Sequence, residues 1–289
     1  MGRIETTKKQ ITTYICTIAA LLLLIAGFAQ YNETHSVKIP ILMYHHLADT
    51  DISGSTISAE TFETHIKALA GAGYTAVSFE DLRDYVFNGA TLPTHPIVIT
   101  FDDGYQSVYD AALPILQKYN TKATAFIVGI FHGENVYKGS NDRPITPHFG
   151  DAEAKEMVES GIFSIQSHSF DMHQLVPYED ESPRVGILKR KEESNEEYVN
   201  ALTADFRLAS DQIEGITGVK PFVFSYPYGR FTLQAEKLLK NMGVLATVTT
   251  VADFNTIVRN SPGTLFGMGR FNVPGDMTAE ELLSMIDWP

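Results

Sequence analysis

Short apolar runs alternate with longer stretches of mixed polar and apolar residues along most of the chain. The apolar runs are bounded by Gly and Pro and predict buried strands, whereas the mixed stretches predict helices, one of them capped by Ser58. Strands are predicted near residues 39–44, 74–78, 96–101, 122–128, 162–167, 221–226 and 243–249, and helices near residues 58–72, 79–88, 105–119, 151–160, 194–216, 231–242 and 277–287. Because alternation of strands and helices builds a parallel sheet, the pattern predicts an α/β fold.

Two segments fit no regular element. Residues 129–150 predict a long loop that is able to line a substrate groove. The highly charged residues 177–197 predict a mobile, solvated excursion that leads into the next helix. The chain shows no internal repeat, and its 289 residues are enough for one barrel domain.

Two adjacent carboxylates follow one of the predicted buried strands. The strand at 96–101 leads into Asp102 and Asp103, and Gly104 then allows the chain to turn. Because neighbouring residues of an extended strand point to opposite sides, the two carboxylates need not share one role. One can bind a metal ion while the other transfers protons.

Two histidines follow another predicted strand, at 162–167. His168 and His173 are five residues apart and can turn their imidazoles towards one point. Together with a carboxylate, two imidazoles are a common ligand set for a catalytic zinc-type ion with open positions for water and substrate. The sequence therefore predicts a candidate metal site.

Two further strand ends carry candidate residues. His45 and His46 follow the strand at 39–44, and an imidazole suits the general acid that protonates a leaving amine. A Pro-Tyr-Gly turn around Tyr228 closes the strand at 221–226, where a backbone N–H can stabilise an oxyanion. Because the active site of a parallel α/β barrel lies at the carboxyl ends of its strands, these segments predict one site on one face.

Three of these motifs together resemble the polysaccharide deacetylases, the NodB-homology group or carbohydrate esterase family four. The motifs are Thr100-Phe101-Asp102-Asp103-Gly104, the pair His168 and His173, and Tyr226-Pro227-Tyr228-Gly229. The resemblance runs from about Ile39 to the C-terminus and implies a seven-stranded, distorted (β/α)7 barrel. Within the family, the five-residue histidine spacing and the early Tyr44-His45 pair resemble the extracellular biofilm deacetylases that act on poly-β-1,6-N-acetylglucosamine.

The resemblance implies a metal centre and a catalytic base. It implies that Asp103, His168 and His173 hold a divalent metal, zinc by default, although nickel or cobalt would fit the same ligands. It implies Asp102 as the general base. Arg270 lies in a segment that resembles the late arginine segment of the family and is the candidate partner of Asp102, with a surface arginine as the alternative.

The resemblance also implies an oxyanion donor and a general acid. Tyr228 would contribute its backbone N–H to the oxyanion hole, and His45 would protonate the leaving nitrogen. His46 stays open as an alternative to His45, although the Tyr-His order favours His45.

The first 30 residues resemble a targeting segment. Three basic residues precede an apolar run from Ile11 to Ala29. At about 19 residues the run is long enough to span a bilayer, and Gly27-Phe28-Ala29 is a passable cleavage site, so a membrane anchor and a removed signal peptide both stay open. Residues 31–289 are then expected to be one catalytic domain, extracellular or at the cell surface.

Composition limits the partners. A formal net charge of −13 disfavours nucleic acid, whose phosphates need a basic surface. The single cysteine, Cys16, lies inside the apolar run, so residues 31–289 have no disulfide framework. The expected partner is an N-acetylglucosamine polymer bound by a monomer, with the membrane contacted through the N-terminal segment.

Three alternatives to this function stay open. The chain could deacetylate peptidoglycan, chitin or xylan instead, because substrate subsites lie on loops that carry no readable code. A glycoside hydrolase would pair Asp102 with a second acid and would not need the two histidines. A non-catalytic surface protein could keep the fold only to bind polysaccharide, but every motif residue that turnover requires is present.

Overall fold

The computed structural model of the chain describes residues 2–137, 143–174 and 184–287. Its α-helices are α1 Gly2–His35, α2 Ala59–Gly71, α3 Phe79–Phe87, α4 Leu113–Lys118, α5 Asp151–Glu159, α6 Asn195–Thr217, α7 Leu233–Asn241 and α8 Ala279–Ile286. Its strands are β1 Ser36–Ile39, β2 Ile41–Tyr44, β3 His46–Leu47, β4 Thr56–Ile57, β5 Thr75–Ala76, β6 Pro96–Phe101, β7 Ala123–Ile127, β8 Phe163–Ser167, β9 Val223–Ser225, β10 Ala246–Val248, β11 Asn255–Val258 and β12 Phe271–Asn272. Each predicted strand and helix is therefore present, with shifted ends.

The main sheet is parallel and curled. Its strands lie in the order β10-β9-β8-β7-β6-β2-β12, and β5 pairs with the first two residues of β6. An isolated parallel bridge joins Val248, at the end of β10, to Met268, shortly before β12, so the two edges of the sheet approach each other. This arrangement confirms the predicted α/β class and the distorted (β/α)7 barrel.

The strands at the centre of the sheet are buried on both faces. Every residue of β2, β6 and β7 is buried, as expected for parallel strands that are covered by helices on one face and by other strands' side chains on the other. The helices α2, α3, α6, α7 and α8 each start at a Ser or Thr whose side chain caps the helix. The Ser58 side chain accepts a hydrogen bond from the Thr61 N–H at 3.0 Å, so the predicted cap of α2 forms, an interaction typically worth about 1 kcal/mol.

Pro40 and Pro114 change two of the predicted elements. The predicted strand at 39–44 divides at Pro40 into β1, which pairs antiparallel with β11, and β2, which joins the main sheet, since proline has no N–H for a continuous ladder. The predicted helix at 105–119 forms as a π-helical turn, Val108–Ala112, followed by α4. Pro114 lies in the first turn of α4, where its missing N–H is tolerated, but it could not donate the N–H that one continuous α-helix over 105–119 would require at this position.

The two irregular segments are described only in part, because residues 138–142 and 175–183 lie outside the described residues. The prediction of a solvated excursion is wrong for residues 184–188 and for Glu193, whereas Lys189, Lys191 and Glu192 are exposed as predicted. Arg184 is only 5% exposed and makes paired hydrogen bonds with Glu193, and Ile187 is buried in the cluster that packs on α6.

The N-terminal segment forms α1, a helix of 34 residues. Large apolar side chains along it are exposed, among them Tyr14 at 69% and Leu23 at 75%. Within the part of the chain that the structure describes, no helix combines the length and the apolar character that a membrane crossing requires.

Candidate metal centre and active site

The carboxyl ends of neighbouring strands bring the predicted residues together. After β6 the ladder continues for one residue, because the Asp102 N–H donates to the Tyr44 carbonyl at 2.9 Å. After β8 the His168 N–H donates in the same way to the Ile127 carbonyl at 2.9 Å. Asp103 then turns with a φ of 74°. These bonds fix the backbone from which the side chains enter the site.

Asp103, His168 and His173 form a possible metal site. One ligand atom from each of the three residues lies within 4.8 Å of the others. Asp103 Oδ1 is 3.8 Å from Nε2 of His168 and 3.4 Å from Nε2 of His173. Two imidazoles and a carboxylate are a common ligand set for a catalytic divalent ion.

The second nitrogen of each imidazole has a hydrogen-bond partner. Nδ1 of His168 donates to the Ser225 carbonyl at 2.8 Å. The Tyr228 hydroxyl donates to the His173 carbonyl at 3.3 Å and can accept from Nδ1 of His173 at 3.1 Å. The proton of His168 therefore lies on Nδ1, and its Nε2 lone pair is left to face Asp103, as metal binding requires; the contact with Tyr228 is compatible with the same tautomer of His173.

The electrostatics of the three residues also fit a cation. Oδ1 of Asp103 is buried and has no hydrogen-bond partner within the described part of the chain, an expensive arrangement for a carboxylate unless a cation compensates it. Burial alone would raise the pKa of Asp103, but electrostatic interactions with the nearby imidazoles, His173 first and then His45, outweigh it and lower the pKa. Burial lowers the pKa of His168 to about 4, so this imidazole is neutral and able to bind a metal at neutral pH.

Arg270 and Asp102 form a buried, bidentate pair beside the three ligands. Nη1 and Nη2 of Arg270 donate to the two carboxylate oxygens at 2.6 and 2.7 Å. Arg270 is fully buried, and its remaining donors reach the Thr249 carbonyl, the Thr100 hydroxyl and the Ser225 hydroxyl. The alternative of a surface arginine is therefore wrong, and the predicted partner of Asp102 is in contact with it.

Asp102 is held ionised next to the possible metal site. Burial alone would raise its pKa, but the charge of Arg270 and its hydrogen bonds to the carboxylate outweigh that effect and hold the pKa well below its usual range. Oδ2 of Asp102 is 3.6 Å from Nε2 of His168. A carboxylate in this position is ionised at neutral pH and able to accept a proton from water beside the three ligands.

The structure distinguishes the two adjacent histidines after β2. Nδ1 of His46 bonds to the Ser107 hydroxyl at 2.8 Å, and that hydroxyl also accepts from the Leu47 N–H. Burial raises the pKa of Asp103, whereas His173 and then His45 lower it, and His45 is also among the groups that lower the pKa of Asp102. His45 therefore lies near the two carboxylates, whereas His46 bonds to the segment that follows β6.

Tyr228 contributes to the site in a way that its motif did not predict. It lies in the short 3-10 helix Pro227–Gly229 with a left-handed backbone, φ 57° and ψ 17°. The sequence predicted a role only for its backbone N–H, whereas its hydroxyl contacts both Nδ1 and the carbonyl of His173. The sequence around a tyrosine in such a turn does not indicate whether its hydroxyl contacts a histidine or lies at the surface.

A cavity of about 380 Å³ opens over Asp103 and His173. Most of its wall comes from the segment after β6, the end of β7 and the loop predicted at 129–150, mainly through aromatic and apolar side chains. The lining residues from these segments are Tyr105, Val128, Phe131, Tyr137, Pro144, Ile145, Thr146 and His148. The described part of the loop thus lines the space over the possible metal site, although the sequence did not indicate which of its side chains would do so.

Comparisons with known proteins agree with this geometry. The sequence profile described as polysaccharide deacetylase matches residues 89–247. YxkH of Bacillus subtilis (strain 168) is 29% identical over 215 residues, 74% of this chain and 64% of that protein. The poly-beta-1,6-N-acetyl-D-glucosamine N-deacetylase of Staphylococcus aureus (strain MRSA252) is 25% identical over 206 residues, 70% of this chain and 63% of that enzyme. A solved de-N-acetylase from Aggregatibacter actinomycetemcomitans is similar with a TM-score of 0.74 and 26% identity, covering 86% of this chain and 100% of that one.

The region that the polysaccharide deacetylase profile matches contains only part of the candidate site. It contains Asp102, Asp103 and the two histidines of the possible metal site, whereas His45 and Arg270 lie outside it. The alignments also cover slightly less than two thirds of the length of the two curated relatives. The structural similarity extends over most of this chain and includes the barrel on which the site is built.

Proposed function

The chain belongs to the polysaccharide deacetylase family, and we propose that it is a metal-dependent N-deacetylase. The reaction would remove acetyl groups from N-acetylglucosamine units of an extracellular polysaccharide. The observation that carries this proposal is the buried Asp102–Arg270 pair next to Asp103, His168 and His173. A protein that only binds polysaccharide would not need an ionised carboxylate held at a possible metal site.

The residues of the chain can be assigned to the steps of amide hydrolysis. A divalent metal held by Asp103, His168 and His173 would polarise the acetyl carbonyl and make water more acidic. Asp102 accepts a proton from the water that attacks the carbonyl carbon, while Arg270 keeps both carboxylate oxygens in place. This carboxylate is ionised beforehand, because the charges around it lower its pKa.

The second half of the reaction breaks the carbon–nitrogen bond. The backbone N–H of Tyr228 would donate to the tetrahedral oxyanion. His45, in its protonated form, would donate to the nitrogen as the bond breaks, because an amine is a poor leaving group unless it is protonated. The products are acetate and a free glucosamine unit.

We propose poly-β-1,6-N-acetylglucosamine as the substrate. The support is the similarity to the Staphylococcus aureus enzyme named for that polymer and the motif order, with His45 preceding the Asp-Asp pair. Deacetylation of peptidoglycan, chitin or xylan is the alternative within the same chemistry.

A substrate panel tests this choice. We expect the full chain, loaded with zinc, to release acetate faster from β-1,6-linked N-acetylglucosamine oligomers than from chitin oligomers, peptidoglycan or acetylated xylan of equal acetyl content. Acetate measured by an enzyme-coupled assay gives the rates. Preference for one of the other three polymers would retain the deacetylase and replace the substrate.

We also propose that the chain is exported and acts as a monomer, with residues 1–30 as a signal peptide or membrane anchor. The support is the apolar run from Ile11 to Ala29 behind three basic residues and the exposed apolar side chains of α1. In bacteria that express the chain, we expect the protein outside the cytoplasm, either cleaved near residue 30 or intact in the membrane fraction. Intact protein found in the soluble cytoplasmic fraction would contradict export.

A further inference from the structure

A buried aspartate holds the segment that connects the two histidine ligands. Asp205 lies on α6 and is 6% exposed. Its two carboxylate oxygens accept the backbone N–H groups of Phe170 at 3.0 Å and Asp171 at 2.7 Å. Both donors lie between His168 and His173, so one side chain from a distant helix fixes the middle of the ligand-bearing loop.

We propose that Asp205 is a positioning residue of the metal centre, which sets the separation and direction of the two imidazoles. This inference rests on the proposed function, because it requires His168 and His173 to bind a metal. Asp205 itself would touch neither metal nor substrate. It would act through the backbone of Phe170 and Asp171.

The shape of the loop explains why such an anchor is needed. Ser169 adopts a left-handed φ of 78°, a conformation that is unfavourable for a residue other than glycine and is retained only when surrounding contacts fix it. The Ser169 hydroxyl accepts the Met172 N–H at 3.2 Å. These local bonds leave the N–H groups of Phe170 and Asp171 to be paired from outside, and the Asp205 carboxylate pairs both.

The opposite side of the loop is fixed by the 3-10 helix Gly129–Phe131. The N–H groups of Gly129 and Ile130 donate to the carbonyls of Ser169 and Phe170 at 3.0 and 2.8 Å. A Cβ at Gly129 would lie 2.4 Å from the Phe170 ring, so only glycine permits this close approach. Gln212, also on α6, donates to the Gly129 carbonyl at 3.2 Å. The helix α6 therefore contacts both the loop and the element that covers it.

The charge of Asp205 favours a functional role over a purely stabilising one. Burial raises the pKa of Asp205 to about 6, although the two backbone N–H groups and Arg184 partly oppose the effect. In the unfolded chain the pKa is near its ordinary value of about 4. Since the folded state binds the proton more tightly, stability decreases as pH rises between these two values. At neutral pH the ionised Asp205 thus leaves the fold less stable than the protonated form does at acid pH, while it holds the ligand loop.

The test compares Asp205→Asn with Asp211→Asn, an exposed aspartate on the same helix, in the full chain. Asparagine can accept only one of the two N–H bonds, so we expect zinc affinity, measured by competition with a chromophoric chelator, to fall about tenfold or more. We expect the visible absorption spectrum of the cobalt-substituted protein to change. We also expect kcat to fall while KM changes little. Amide hydrogen exchange at Phe170 and Asp171 is expected to accelerate in the metal-free protein, whereas its thermal midpoint changes little. Asp211→Asn is expected to match the unaltered chain in each measurement.

The results of these measurements distinguish a failure of the positioning role of Asp205 from a failure of the proposed deacetylase function. Unchanged zinc affinity and an unchanged cobalt spectrum in Asp205→Asn would overturn the positioning role and leave the deacetylase intact. A lower thermal midpoint with normal zinc affinity would make Asp205 a structural residue and also overturn it. An unaltered chain that binds neither zinc nor cobalt would overturn the proposed function and this inference together. If Asp205→Asn does not fold, Asp205→Glu, which keeps the charge but moves the carboxylate, is expected to show the same loss of affinity.

Discussion

Asp102→Asn is expected to lower turnover of the N-acetylglucosamine polymer by about 10³-fold without releasing the metal. Asparagine keeps the shape of the side chain but cannot accept a proton from water. The metal ligands Asp103, His168 and His173 are unchanged, so zinc content should stay at the level of the unaltered chain. Acetate release and zinc content, measured on the same sample, check both parts.

Stability has to be followed in this variant, because Arg270 is fully buried and loses its counter-charge. Breaking a buried pair in this way typically costs about 3–5 kcal/mol, although the remaining oxygen of the asparagine and the hydroxyls of Thr100 and Ser225 still accept from the guanidinium. We expect a folded protein with a lower thermal midpoint. Asp110→Asn, an exposed residue of the segment after β6, is the control and should keep full activity. Full activity in Asp102→Asn would remove this residue from the role of base.

His45→Ala is expected to lower amide hydrolysis by about 10²–10⁴-fold while hydrolysis of an activated ester changes little. The reason is the leaving group. A glucosamine nitrogen must be protonated before it leaves, whereas 4-nitrophenolate leaves without a proton. Acetate release from the polymer and nitrophenolate release from 4-nitrophenyl acetate, compared in the same variant, isolate the step that His45 is proposed to perform.

His46→Ala is the matched comparison, since the two histidines are adjacent but differ in their contacts. His46 bonds to the Ser107 hydroxyl, and its replacement should lower both activities to the same small extent. A selective loss of amide hydrolysis in His46→Ala, with His45→Ala unaffected, would assign the general acid to His46 instead.

The strand ends were predictable from the sequence because burial and chemistry coincide there. The run at 96–101 is apolar apart from Thr100, and two carboxylates follow it at once, so the position of Asp102 and Asp103 at the carboxyl end of a core strand needed no tertiary information. The run before His168 is more mixed, but it also reads as a strand that ends at a polar residue. In a parallel barrel, these two observations already place the side chains on one face.

The partners of these residues were not predictable in the same way. Arg270 directly precedes β12, a two-residue strand without any apolar run to mark it, and its contact with Asp102 depends on the closing of the sheet. Asp205 resembles any polar residue of the long helix α6, and only the packing of α6 against the ligand loop reveals its bonds to Phe170 and Asp171. Long-range contacts of this kind leave no local pattern in the sequence.

The metal requirement of the reaction is the central property to measure. The full chain would be stripped with a chelator and titrated with zinc while zinc content and acetate release from β-1,6-linked N-acetylglucosamine oligomers are both measured. We predict that acetate release disappears with the chelator and returns in proportion to bound zinc, reaching its maximum at one ion per chain. Acetate release that continues in the metal-free protein would contradict the account.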